Sequence, residues 1–168
     1  MADVVYRGVP GLVNFLRRPE YEKVIGRSAE GVLLAVGFNY AKEVDFKGLA
    51  IAGCINCVDN GGIKGVGIAG FVNEPDSIKG VGIAGIANNM HNADGFLVGL
   101  LNHCATRLSG VSLGLVNYAN SSHGFAVQIG VANVISNVRG PVVQIGLINK
   151  AENRMSPLIN FMNLKRRS

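Results

Sequence analysis

Along most of this chain, apolar residues alternate with small or amide residues at a period of two, and the alternation restarts at a nearly fixed interval. Val111, Leu113 and Leu115 are interleaved with Ser112 and Gly114; Val127, Ile129 and Val131 with Gln128 and Gly130; Val143, Ile145 and Leu147 with Gln144 and Gly146. Period-two alternation of branched apolar residues predicts strands with one face buried, and here the aliphatic face is the one expected inside. Each run closes on Gly-x-x-Asn. The asparagines are Asn56, Asn73, Asn88, Asn102, Asn117, Asn133 and Asn149, separated by 17, 15, 14, 15, 16 and 16 residues. Seven units at such a step are an internal repeat, which decides the architecture first.

A step of 14–17 residues holds a strand, a corner and a second short extended segment. If units stack in register, each side chain recurs above itself at the sheet spacing of about 4.8 Å. Valine, isoleucine and leucine columns then fill a narrow interior, glycine turns the backbone, and asparagine caps corners or hydrogen-bonds up its column. The fold expected is an all-β solenoid whose rungs contact chiefly their neighbours. The alternative is an up-and-down β-barrel with one strand per unit, its aliphatic face toward lipid as in an outer membrane. A meander alternates two kinds of turn, whereas every connector here follows the same phrase, so the solenoid is preferred.

In the earlier units Gly67 and Ala69, counted back from Asn73, stand where Val127 and Ile129 stand before Asn133. A narrower interior or a bulge would explain that shift. Residues 1–45 hold twelve of the 27 charged residues and read as an N-terminal cap with degenerate units. Gly11-Leu12-Val13-Asn14 already matches the phrase, and Pro19 to Ile25, closed by Gly26, predicts a short helix. Residues 46–161 form the tandem repeat domain. Its last unit is the proline-bearing Ser156-Pro157-Leu158-Ile159-Asn160-Phe161, of which Leu158 to Phe161 is expected to cover one end of the sheet. Residues 162–168 are a basic tail.

Composition narrows the function. The chain has 168 residues, 48% apolar and 16% charged, with 23 glycines and seventeen asparagines. That suits one ordered domain and not a disordered one. The net charge of +5 is dispersed except at Arg17-Arg18 and Lys165-Arg166-Arg167, so no nucleic-acid partner is expected. The first seven residues lack a basic stretch followed by an apolar run, so a signal peptide is not expected and a cytoplasmic location is the default. Three cysteines do not make a disulfide framework.

No catalytic, cofactor-binding or metal residue is assigned. Cys54-Ile55-Asn56-Cys57 needs a second pair to hold a metal, and only His103-Cys104 is available. Small apolar fillers explain these cysteines better, unless a corner at Asn56 brings the first pair together. His91, His103 and His123 fall in or beside connectors and read as solvated. Ser121-Ser122-His123 is a polar turn, and Gly61-Gly62-Ile63-Lys64-Gly65 lacks the helix that follows a phosphate-cradling loop. A left-handed acyltransferase helix needs three six-residue sides, and ice binding by a flat solenoid wants threonine rows, whereas Thr106 is the only threonine.

The units Gly124-Phe125-Ala126-Val127-Gln128-Ile129-Gly130-Val131-Ala132-Asn133 and Gly140-Pro141-Val142-Val143-Gln144-Ile145-Gly146-Leu147-Ile148-Asn149 resemble the tandem Gly-Leu-Gln-Ile-Gly-Leu-Ile-Asn units of bacterial surface-repeat proteins. Pro157-Leu158-Ile159-Asn160-Phe161 is similar to the close of those arrays. The resemblance covers about two thirds of the chain. It implies a repeat scaffold with cell-envelope association and no settled activity. The early units depart from it in using Ile-Ala-Gly.

The function expected is therefore a non-enzymatic repeat scaffold or protein-interaction surface that self-associates or binds another protein, with membrane association as a second partner class. The alternatives are the membrane barrel and an enzyme with a site between rungs or subunits, near His103 or Cys57.

Overall fold

In a computed structural model, residues 28–163 are described, and nearly all of them are strand. The elements are β1 (Ser28–Ala35), β2 (Phe38–Lys42), β3 (Asp45–Ala52), β4 (Ile55–Ala69), β5 (Val72–Ala84), β6 (Ala87–Val98), β7 (Leu101–Leu113), β8 (Val116–Ile129), β9 (Ala132–Asn137), β10 (Val142–Ala151) and β11 (Arg154–Met162). The short helix expected at Pro19 to Ile25, the phrase at Gly11 to Asn14 and the basic tail lie outside the described residues.

From β1 to β10 every pairing is parallel, each strand lying on the one a full turn earlier. The chain is a β-solenoid. This overturns the up-and-down barrel, whose neighbouring strands must be antiparallel. Among the described residues the one antiparallel pair is β10 with β11, which folds back over the last rung and places Asn160 opposite Gln144. Residues 28–42 already carry β1 and β2, stacked in register on β3 and β4.

Each rung is a flattened loop. One side begins at the repeat asparagine, the chain turns near the Asp59-Asn60-Gly61 position, and the other side returns to bends such as Gly70-Phe71 and Gly114-Leu115. The residues just after each asparagine, expected as connectors, are strand: Asn56 to Asp59 stack on Asn39 to Lys42 in register. Toward the polar turn the interior is a conventional core of Val58, Ile63, Ile78, Met90, Cys104, Leu108 and Ile135, all nearly inaccessible.

Toward the opposite bend the interior is different, and here the expectation fails. Ser112, Gln128 and Gln144 are at most 1% exposed, whereas Leu115, Ile129, Val131, Ile145 and Leu147 are 40–65% exposed. The aliphatic columns face outward and the amides inward. Spacing supplies the reason. Asn73 Nδ2 reaches across the interior to the carbonyl of Ile83 at 2.8 Å, and Asn117 Nδ2 to that of Ile129 at 3.0 Å. With an asparagine side chain spanning the two walls, the inward positions nearest the bend are Ala69 and Ala84 and then Gly114 and Gly130. The column behind them holds Gly67, Gly82, Ser112 and Gln128, with one leucine, Leu97, between Gly82 and Ser112.

The repeat asparagines do not occupy the corners either. They are extended strand residues with buried side chains. Left-handed backbone falls instead on Glu43, Asn60 and Glu152 at the polar turn, on Leu158 in β11, and on a glycine column that includes Gly48, Gly65, Gly80 and Gly95. In that column a Cβ on Gly80 would lie 2.1 Å from the Gly65 carbonyl oxygen, so stacking itself demands glycine.

The shift at Gly67 and Ala69 needs neither a narrow interior nor a bulge. Val66 stacks under Val81, then Phe96, Val111, Val127 and Val143. The bend Ala84-Gly85 of one rung is replaced by the single Gly99 in the next, so counting back from asparagine slips by one while the sheet keeps its register.

Candidate functional site

The repeat asparagines form one continuous buried ladder. From Asn39 through Asn56, Asn73, Asn88, Asn102, Asn117 and Asn133 to Asn149, each Nδ2 donates to the next Oδ1 at 2.7–2.9 Å. The second N–H of each donor goes across the interior to a backbone carbonyl at 2.7–3.0 Å. A shorter amide chain runs beside it: Asn160 donates to Gln144 at 3.0 Å, and Gln144 to Gln128 at 2.8 Å. Ser112 donates to Asn117 at 2.8 Å. Asn160 Oδ1, at the end of the shorter chain, has no partner among the described residues; the ladder amides are structural, because the groups a ligand would need are already paired.

Two surfaces remain. The first is an open polar groove of about 550 Å³ on the asparagine side, lined among others by Cys57, Asp59, Glu74, Asp76, Asn89, His91 and His103. Its polar groups bond up the coil. Asn89 Nδ2 donates to Glu74 at 3.2 Å, which leaves Asn89 Oδ1 to accept from His103 Nδ1 at 2.8 Å. His103 stacks on Tyr118 at 5.3 Å, and His91 Nδ1 lies 3.2 Å from Asp76. Partial burial pushes the Cys57 thiol up, and the carboxylates of Glu74, Asp59 and Asp76 add to the shift. A thiol held protonated is a poor nucleophile and a poor metal ligand.

The cysteine pairings considered from sequence do not form. All three thiols are free. Cys54 sits in a bend and Cys57 on the outer face, with Asn56 between them pointing inward. Cys104 is in the core, where burial pushes its thiol up to about 12. His103 and Cys104, being consecutive in a strand, face opposite ways. Among the described residues no three His, Cys, Asp or Glu side chains converge on a point that could hold a metal ion. His123 lies next to a register shift between β7 and β8, and its shielded Nδ1 has no hydrogen-bond partner among the described residues.

The second surface is the one sequence reasoning assigned to the interior. Four outward columns of eight residues run the length of the coil. Two lie on one side: Val32, Leu49, Val66, Val81, Phe96, Val111, Val127 and Val143, then Leu34, Ile51, Ile68, Ile83, Val98, Leu113, Ile129 and Ile145. The third follows the bend through Gly37, Cys54, Phe71, Ile86, Leu100, Leu115, Val131 and Leu147. The fourth begins the other side with Phe38, Ile55, Val72, Ala87, Leu101, Val116, Ala132 and Ile148. Phe161 and Ile159 on β11 extend the first two columns. All but Gly37 and Cys54 of these thirty-two positions are aliphatic or aromatic, and none is charged. At the strand and sheet spacings the wall covers roughly 1,000 Å². Monomers rarely leave more than a few hundred Å² of contiguous apolar surface exposed.

One signal in the sequence could have located this wall. The column beneath the bend is asparagine in every rung, as a hydrogen-bonded ladder requires. The bend column varies among Cys, Phe, Ile, Leu and Val, as an unpacked outer surface allows. Compared with protein-family models, curated proteins and solved structures, the chain matches none of them.

Proposed function

We propose that this chain is a non-enzymatic repeat scaffold whose working part is the aliphatic wall along one edge. The wall itself carries the reading: about 1,000 Å² of uncharged outer surface, held flat along the coil axis by a rigid amide ladder. The polar groups of the groove support a structural role, since Glu74, Asn89, His103 and Tyr118 are engaged with one another rung to rung. Left in water without a partner, the wall drives self-association of the chain.

Light scattering on protein eluted from a sizing column, in buffer and again in mild detergent, tests this. The reading expects oligomers in buffer that shrink in detergent while the far-ultraviolet strand spectrum is unchanged. A monomer of the same mass in both would sink it.

A further inference from the structure

Deepening the scaffold reading and resting on it, we propose that the occupant of the wall is a lipid bilayer: the bend edge lies in the acyl-headgroup boundary of a membrane carrying anionic lipid. Shape is the first argument. The wall wraps a convex edge, because its third column follows the bends at Cys54, Phe71, Ile86, Leu100, Leu115 and Val131. A second copy could lie flat only on the first two columns, roughly 500 Å², short of the ~800 Å² per partner of a standard protein interface. A fluid acyl phase conforms to a ridge and covers all four columns.

The polarity of the two edges is the second argument. The opposite edge carries Glu43, Asp59, Asn60, Asp76 and Glu152, so the coil lies in one interface and does not pass through. Lys47, Lys64 and Lys79 stand two residues before the wall residues Leu49, Val66 and Val81, in a column just outside it that also carries Glu30 and Asp94. Lys47 pairs with Glu30 at 2.8 Å and Lys64 with Asp45 at 2.7 Å, so a belt of paired charges lies at the height where the wall would meet headgroups.

Charge is the third. Residues 28–163 hold eight Lys and Arg against eight Asp and Glu, so the whole net charge of +5 belongs to residues 1–27 and 164–168. The apolar wall therefore belongs to the neutral part of the chain and anchors without charge, while the basic residues outside 28–163 add only an attraction to anionic lipid that salt screens.

The test uses the full chain and vesicles of equal parts phosphatidylcholine and phosphatidylglycerol in a flotation assay, with Leu115→Gln/Val131→Gln at the exposed bend. The wild type is expected to float with the vesicles at moderate and high salt, and the double variant to partition at least tenfold less, on the order of two aliphatic side chains left in water. Binding that the variant retains, or that salt abolishes, assigns it to the basic termini and overturns the proposal. If the wild type does not float but forms oligomers in buffer that the variant dissolves, the lipid proposal falls and the scaffold reading stands with a protein occupant. If neither property responds to the variant, both fall. Because the chain has no tryptophan, Leu115→Trp gives a second readout that does not depend on the double variant folding. Its emission should shift blue on vesicles and be quenched by acyl-chain bromines; emission unchanged from buffer overturns the proposal.

Discussion

Leu101 and Asn102 are adjacent strand residues facing opposite ways, and it is the leucine that points to solvent, 46% exposed, while the asparagine is 2% exposed. The inversion is stable because Asn102 is fully used. It accepts from Asn88 at 2.8 Å and donates to Asn117 and to the Leu113 carbonyl, each at 2.8 Å. A buried amide with every group paired costs little, whereas an orphaned one costs the whole desolvation penalty.

Breaking the ladder in its middle therefore removes more than one bond. Asn88→Ala leaves the Nδ2 of Asn73 and the Oδ1 of Asn102 without their partner, at about 1–3 kcal/mol for each orphaned group. Asn88→Asp should be worse at neutral pH, because a carboxylate can accept from Asn73 but has nothing to donate to Asn102. Burial raises that new acid's pKa above its unfolded value, so the variant's stability is highest below the unfolded pKa and is lost as pH rises through the folded one. Urea midpoints of both variants across pH 3–8 (a range of about five units around the free carboxyl value) check the sign. An Asp variant whose midpoint climbs with pH would contradict the ladder.

Two glycines separate backbone strain from close approach. Gly31 and Gly80 have nearly the same φ, +132° and +131°. A Cβ at Gly31 meets nothing within 4 Å among the described residues, but one at Gly80 would lie 2.1 Å from the Gly65 carbonyl oxygen. Gly31→Ala should cost the conformational strain alone, ~1–3 kcal/mol. Gly80→Ala should cost clearly more, since relief requires two rungs to part. Equal losses of stability in urea denaturation would mean that stacking does not impose the glycine column.

The thiols report which face each strand presents. Cys104, in the core with its thiol pushed up to about 12, should resist alkylation in the native protein at mildly alkaline pH. Cys57 should label slowly with a midpoint above its ordinary 9.0, because partial burial and then Glu74, Asp59 and Asp76 oppose its thiolate. The Cys104 shift also fixes a sign: the native state keeps a proton that the unfolded chain loses near 9, so its contribution is intact below pH 9 and declines as pH rises toward 12. Mass spectrometry of alkylated protein, native against unfolded, reads all of this. Rapid native labelling of Cys104 would place β7 the wrong way round.

The architecture was legible because spacing is a long-range signal: a constant step between asparagines implies stacking whatever each residue does. The face of the strand was not legible, because alternation defines two faces without saying which is inside. Burying aliphatics is the ordinary choice, and it holds for Ile63, Ile78 and Leu108 near the polar turn. It fails near the bend, where the walls approach closely enough for Asn73 to bridge them. Local sequence does not carry that distance. The groove was half legible: of the three histidines read as solvated beside connectors, His91 and His103 are exposed but lie on strands, and His123 has a shielded Nδ1, while the bonds from Glu74 through Asn89 to His103 depend on three successive rungs being in register.

That dependence on register yields a last prediction, made by deletion. Removing residues 103–117 joins Asn102 to Tyr118 and takes out one whole unit, so Asn102 would face Asn133 and every column would close over the gap. In a repeat protein the loss is one rung and its interfaces, not the fold. The shortened chain should keep its strand spectrum and unfold at a modestly lower urea midpoint. Removing only residues 103–109, an odd number within a period-two strand, should reverse the faces beyond the junction. Gln128 and Asn133 would be turned out, Val127 and Val134 turned in, and the protein should aggregate or lose its cooperative transition. If both deletions behave alike, stacking register is not what holds this coil together.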